Sequence, residues 1–161
     1  MMFRCILIPL ITLVLTFSPF AYSNVKTEEQ KIALDYMQTL TQHDLVKLRD
    51  FYDRDSVFKD KTAGKTYIGG QHIVDFFKRA YHGMLEYEFD ITHIYNKGSF
   101  VVMIGEYHFK GKGLQFGKPG KIISLKVPSV TTLELDTENH KIKKHVDMID
   151  YQMLSEQLAL Q

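Results

Sequence analysis

From about residue 27 the apolar residues recur every three or four places, and from about residue 84 every second place, so helices come first and strands follow. Thr27, with Gln30 three places on, reads as a capping box at a helix start. Ile32, Tyr36 and Leu40, with Ala33 and Met37 beside them, then form one apolar stripe through about Thr41. Asp44 is placed to cap a second helix over Leu45 to Tyr52, with Leu45, Leu48 and Phe51 or Tyr52 inward. Val57 and Phe58 suit a brief strand, Gly64 marks a turn before Tyr67 and Ile68, and Gly69-Gly70 breaks the chain. A third helix is expected from Gln71 to about His82-Gly83, with Ile73, Phe76 or Phe77, and Ala80 on one side.

Tyr87, Phe89, Ile91, His93 and Tyr95 then alternate with Glu88, Asp90, Thr92 and Ile94, which is a strand. The turn signal Asn96-Lys97-Gly98-Ser99 joins it to a second strand over Phe100 to Lys110. Another hairpin runs from Ile122 to Leu135 and back from Lys141 to Asp150, with Pro128 marking an edge or a bulge. Gly111 to Gly120 has no period and reads as an exposed loop, and Tyr151 to Leu160 as a closing helix with Met153, Leu154, Gln157 and Leu158 inward. Together these predict an α+β domain, with its helices on one face of a curved, mainly antiparallel sheet.

The N-terminus changes the picture of where this domain works. Met1 to Arg4 is charged, Cys5 to Phe17 is almost wholly apolar, and Ala21 and Ser23 stand three and one places before Asn24. That order predicts a signal peptide, residues 1–23, cleaved near Ser23 to release a periplasmic or secreted domain, residues 24–161. The apolar run is shorter than the ~18–20 residues a helix needs to cross a bilayer, so no stable membrane insertion is expected. Cleavage removes the only cysteine, Cys5, and with it disulfides and thiol catalysis. It also removes Arg4, which leaves 19 basic residues against 19 acidic ones. A neutral domain has no evident attraction for nucleic acid.

The order of elements and two stretches of residues add a resemblance. One stretch is Ala33-Leu34-Asp35-Tyr36, then His43-Asp44-Leu45 and Phe51 to Asp60; the other is Val127 to Leu135 with His145-Val146-Asp147-Met148-Ile149-Asp150-Tyr151. The chain resembles the nuclear transport factor 2-like superfamily, and within it the SnoaL-like polyketide cyclases and ketosteroid isomerases. The resemblance implies a cone-shaped fold in which helices close a bent sheet over an apolar pocket. It implies no cofactor, and it leaves the reaction open, because such cones host isomerases, cyclases, epoxide hydrolases and plain binding proteins.

The resemblance also implies roles for particular residues. Tyr36 and Asp60 stand where the isomerase pattern has its oxyanion-holding tyrosine and its proton-abstracting carboxylate, and the second oxyanion donor has no counterpart. Equally, Tyr36 can be a helix residue bonded to the backbone, and Asp60 a turn cap. Asp147 stands where the cyclases and epoxide hydrolases carry their acid or base aspartate. Period two puts Lys143, His145, Asp147 and Ile149 on one face and Ile142, Lys144, Val146 and Met148 on the other. Glu106 and His108 replace the arginine and aspartate that the epoxide hydrolase pattern wants, and with His145 and Asp147 they would form a titratable cluster.

The candidate catalytic residues are therefore Asp60, Asp147, Tyr36 and His145, with Glu106, His108 and Phe58 as ligand-binding candidates. No metal site is expected, since these donor types lie on separate strands without a local spacing motif. His43, His72, His82, His93 and His140 read as surface. The apolar second face presented by Ile142, Val146 and Met148 predicts a homodimer through the sheet. The expected function is an exported domain that binds a small apolar or amphipathic molecule and carries out acid–base isomerisation or cyclisation; the alternative is a non-catalytic binding or dimerisation module.

Overall fold

The computed structural model describes residues 25–161, and the predicted signal peptide lies outside them. Helices α1 (Glu28–Thr41) and α2 (Leu45–Asp50) precede strands β1 (Val57–Asp60) and β2 (Lys65–Ile68). Helix α3 (Gly70–Ala80) leads into β3 (Met84–Lys97) and β4 (Phe100–Lys112), followed by a single 3-10 turn, Gly113–Phe116. The chain closes with β5 (Ile122–Asp136), β6 (Lys141–Ile149) and α4 (Tyr151–Ala159). Among the described residues the strands form one six-stranded sheet in the order β2-β1-β6-β5-β4-β3, in which only the β1–β6 pair is parallel. This is the expected α+β architecture.

Local chemistry sets the helix ends. Thr27 Oγ1 accepts from Gln30 N and Asp44 Oδ1 from Lys47 N, each satisfying a donor that the first helical turn leaves free. The Gln30 side chain does not close the box; it donates to Asn96 Oδ1 on β3 and so ties α1 to the sheet. The inner sheet face and the helices enclose Leu40, Leu48, Ile73, Met103, Leu133 and Ile142, all inaccessible to solvent.

Bulges bend the sheet and reset its alternation. One at Thr92 turns His93 and Tyr95 outward and brings Ile94 inward, so the regular period read through Tyr95 stops at Ile91. Another at Lys143 places Ile142 on the inner face with His145 and Asp147, not on the outer face, and leaves Lys143 exposed. Gly105 sits opposite the first bulge, where an added Cβ would lie 2.2 Å from the Asp90 carbonyl oxygen.

Pro128 lies in an unbroken β4–β5 register, opposite Glu106. It is tolerated because β6 ends at Ile149: Asp150 N donates to the Pro128 carbonyl, and beyond that point β5 has no second strand beside it. The Gln157 side chain of α4 covers this locally open edge, accepting from Lys126 N and donating to its carbonyl. The stretch read as an exposed loop is instead structured in part, with Gly111 and Gly113 buried and Phe116 packed on the cluster of Ile123, Leu125 and Val127.

Candidate active site

Strand alternation sends Phe58 and Asp60 of β1, His145 and Asp147 of β6, Thr131 of β5 and Tyr107 of β4 to the concave side of the sheet, all buried. Asp60 and Asp147 are register partners on the two parallel strands. Asp147 Oδ1 accepts from Thr131 Oγ1 at 2.5 Å, His145 Nε2 at 2.9 Å and Tyr107 Oη at 3.3 Å. Oδ2 has no hydrogen-bond partner among the described residues. One oxygen of this carboxylate is held, and the other is available.

Behind Asp147 the network continues into the helices. Tyr36 Oη lies 2.7 Å from His145 Nδ1 and 2.5 Å from Tyr52 Oη. Burial, and then the neighbouring Tyr52 hydroxyl, pushes the Tyr36 hydroxyl well above the usual tyrosine range, and burial does the same to Tyr52 and Tyr107. All three therefore remain protonated donors at neutral pH. With Asp147 as a carboxylate, His145 Nε2–H donates to it and Nδ1 is left to accept from Tyr36, whose oxygen accepts from Tyr52. Every donor then has an acceptor, and the chain Tyr52–Tyr36–His145–Asp147 has one direction. The imidazole is fixed from both sides, with the Phe58 ring 4.9 Å away.

A cavity of about 210 Å³ opens in front of the two carboxylates. Its lining includes Phe58, Phe76, Phe77, Tyr87, Phe109 and Ile149, with Gln115, Phe116 and Leu154. Asp60 and Asp147 are its acidic groups. Asp60 also closes the β1–β2 turn by accepting from Ala63 N, while its Oδ2 accepts from Tyr151 Oη at 2.5 Å. Partial burial and the Asp60 carboxylate push the Tyr151 hydroxyl up, so it too stays a donor.

The structure thus brings Asp60, Asp147 and Phe58 to the cavity wall, with His145 directly behind Asp147. Tyr36 does not line the cavity; its hydroxyl is spent on His145 and Tyr52, so it positions the imidazole and cannot face a substrate oxygen. Glu106 and His108 are on the opposite face of β4, 3.0 Å from each other and partly exposed, because Tyr107 and Phe109 take the inward positions. They do not join His145 and Asp147 in one cluster. Among the described residues no group of three or more His, Cys, Asp or Glu is arranged to hold a metal.

His43 is also not a plain surface residue. It takes a left-handed φ of 60°, stacks 4.0 Å from the Tyr81 ring, and buries Nε2 without a partner. Tyr52, Tyr107, Thr131 and Tyr151 were not anticipated. The apolar series Val101, Met103, Tyr107 and Phe109 carried the signal for Tyr107, and the inward parity of β5 carried it for Thr131.

A curved sheet closed by helices, with an inward carboxylate on its last strand, defines a class of protein, and the SnoaL-like domain model matches residues 33–145 of this chain. The chain belongs to the SnoaL-like domain family. A candidate SnoaL-like polyketide cyclase from Shewanella putrefaciens CN-32 is 57% identical, with a TM-score of 0.83 over 84% of this chain and 99% of that one. A second, from Shewanella denitrificans OS-217, is 49% identical, with a TM-score of 0.82 over 84% of this chain and all of that one. An LEH-like epoxide hydrolase from M. tuberculosis shares the fold at 14% identity, with a TM-score of 0.68 over 83% of this chain and 90% of that one. No curated protein matches the chain.

Proposed function

We propose that this chain is an exported SnoaL-like domain whose cavity binds a small, largely apolar molecule, on which Asp147, assisted by Asp60, carries out acid–base isomerisation or cyclisation. The observation that carries this reading is the Asp147 carboxylate: three donors fix one oxygen, and the residue lines an aromatic cavity with the other oxygen unpartnered. A carboxylate held in this way takes a proton from a bound carbon acid at Oδ2 without first reorganising its surroundings. His145 steadies it from behind, supported by Tyr36 and Tyr52. Asp60 and the Tyr151 hydroxyl stand on the same wall to hold or protonate the polar end of the substrate.

Turnover of a panel of enones, epoxides and polyketide-like lactones by the wild type, Asp60→Asn and Asp147→Asn tests this directly. The expected result is turnover by the wild type and a loss of about 10²-fold or more in Asp147→Asn. No turnover by the wild type, or equal turnover by all three, rejects acid–base catalysis. One observation favours the rival reading as a binding module: Tyr36, the expected oxyanion donor, is turned away from the cavity. In that case ligand binding survives and turnover is absent.

Export and dimerisation are part of the same proposal. The leader-like N-terminus supports export. N-terminal sequencing of the exported protein is expected to begin at Asn24 or a close neighbour, and finding Met1 rejects cleavage. Val102, Ile104, Val130, Val146 and Met148 lie on adjacent strands of the outer sheet face, partly or largely exposed, and support a homodimer. Sedimentation showing a monomer at high micromolar concentration rejects it.

A further inference from the structure

We propose that the cavity selects a small organic cation, a compact alkylated ammonium, over neutral or anionic molecules of the same shape. This inference rests on the reading of the cavity as the ligand site and adds the charge and size of its occupant.

Three observations carry it. The first is the charge of the wall: among the described residues Asp60 and Asp147 line the cavity and no lysine, arginine or histidine does, although the chain holds 20 basic residues and 7 histidines. The second is how those carboxylates are held. Asp60 accepts from a backbone N–H and the Tyr151 hydroxyl, and Asp147 from two hydroxyls and His145, whose two ring nitrogens are both engaged in the network. Among the described residues neither is paired with a lysine or an arginine. His145 lies 2.9 Å from Asp147, whereas Asp60 is held by a backbone N–H and a hydroxyl alone; such donors orient a carboxylate without a compensating charge, and in a partly enclosed, low-dielectric space a mobile cation is strongly attracted to it.

The third observation is the rest of the lining. The rings of Phe58, Phe76, Phe77, Tyr87, Phe109 and Phe116 surround the space in front of the carboxylates. Aromatic walls accept alkyl groups by contact and an ammonium charge through their quadrupoles, whereas they give an anion nothing. Size narrows the class further. About 210 Å³ is below the ~300–1,000 Å³ of pockets that take drug-sized ligands, so the occupant is a compact ammonium and not a polycyclic molecule.

Calorimetry on the mature exported protein tests this with three probes of nearly identical shape: choline, the neutral 3,3-dimethylbutan-1-ol and the anionic 3,3-dimethylbutanoate. Choline is expected to bind about tenfold tighter than the alcohol or better, with no binding of the anion. Asp60→Asn and Asp147→Asn are each expected to weaken choline severalfold and to leave the alcohol nearly unchanged. The wild-type comparison depends on no variant folding, and Asp60→Asn disturbs a less buried carboxylate than Asp147→Asn does.

Equal or tighter binding of the alcohol overturns the cation proposal and leaves the apolar-ligand reading standing. Choline binding that both variants retain in full places the cation elsewhere on the surface and also overturns it, as does failure of all three probes to bind. Loss of turnover on the enone, epoxide and lactone panel bears on catalysis alone, so the two readings fail separately.

Discussion

Replacing Tyr36 by Phe removes one oxygen atom from a site with no solvent access, and the hydrogen-bond geometry fixes what that costs. The hydroxyl serves two neighbours: it donates to His145 Nδ1 at 2.7 Å and accepts from Tyr52 Oη at 2.5 Å. Tyr36→Phe therefore strands a buried imidazole nitrogen and a buried hydroxyl proton together. Each buried polar group left unpaired costs about 1–3 kcal/mol, so the expected loss is about 2–6 kcal/mol. Tyr52→Phe removes only the outermost donor and leaves the Tyr36–His145–Asp147 bonds intact, for about 1 kcal/mol. The double variant should cost little more than Tyr36→Phe alone, because the second change removes a hydroxyl that the first has already stranded. Urea unfolding followed by circular dichroism measures all three, and in thermal melts Tyr36→Phe should unfold roughly 6–24 °C lower if each kcal/mol shifts the midpoint by about 3–4 °C. Equal losses from the two single variants, or additive losses in the double variant, would refute the directed chain from Tyr52 to Asp147.

Three further outcomes follow from the same geometry. Tyr36, Tyr52 and Tyr107 have their hydroxyls raised above the ordinary value of 10.0 by burial, so the unfolded chain releases protons that the folded one keeps; stability is fully present below about pH 10 and falls above it, by up to about 4 kcal/mol per pH unit for the three. Tyrosinate absorbance from these three buried rings should accordingly rise in one cooperative step coincident with unfolding, separate from that of exposed rings such as Tyr95, and titration of the three before unfolding would contradict it. His43 is lowered from 6.5 by desolvation, so below about pH 6.5 the unfolded chain binds the proton more readily and stability drops; the deficit of the wild type relative to His43→Asn should grow between pH 7.5 and 5.5, and a constant difference would contradict this. Gly105→Ala forces a Cβ against the Asp90 carbonyl oxygen at 2.2 Å and should destabilise by about 1–3 kcal/mol or more in thermal melts, and a neutral result would mean that the bulge at Thr92 relaxes freely.

Much of the fold was legible in the sequence because local chemistry writes it. Thr27 and Asp44 announce helix starts, and Asn96 to Ser99 announces a hairpin, through interactions within a few residues. What escaped depends on distant partners. A bulge adds one residue without a composition signal, so Thr92 reversed the face of the residues beyond it, and Lys143 moved Ile142, just before it, from the outer surface to the core. Strand β4 is apolar on both faces, Val102 and Ile104 outside and Val101 and Met103 inside, so its period does not declare which face is buried; Glu106 and His108, which the resemblance to the epoxide hydrolase pattern puts at the pocket, lie on the outer face, and Tyr107 takes the inner one. Asp147 with His145 was legible because two residues of one strand share a face whatever the sheet does around them. Tyr151 was not, because its contact with Asp60 joins residues 91 positions apart.

The claim at the centre is that the cavity in front of Asp60 and Asp147 is where this domain meets its small molecule. Ala80 lines that cavity and takes no part in the hydrogen-bond network, so Ala80→Phe fills the space while leaving the carboxylates in place. Mass spectrometry of the native protein should find a co-purifying small molecule on the wild type and none on folded Ala80→Phe. The same molecule retained at equal occupancy by both would show that it binds elsewhere, and the cavity would lose its claim to be the functional site.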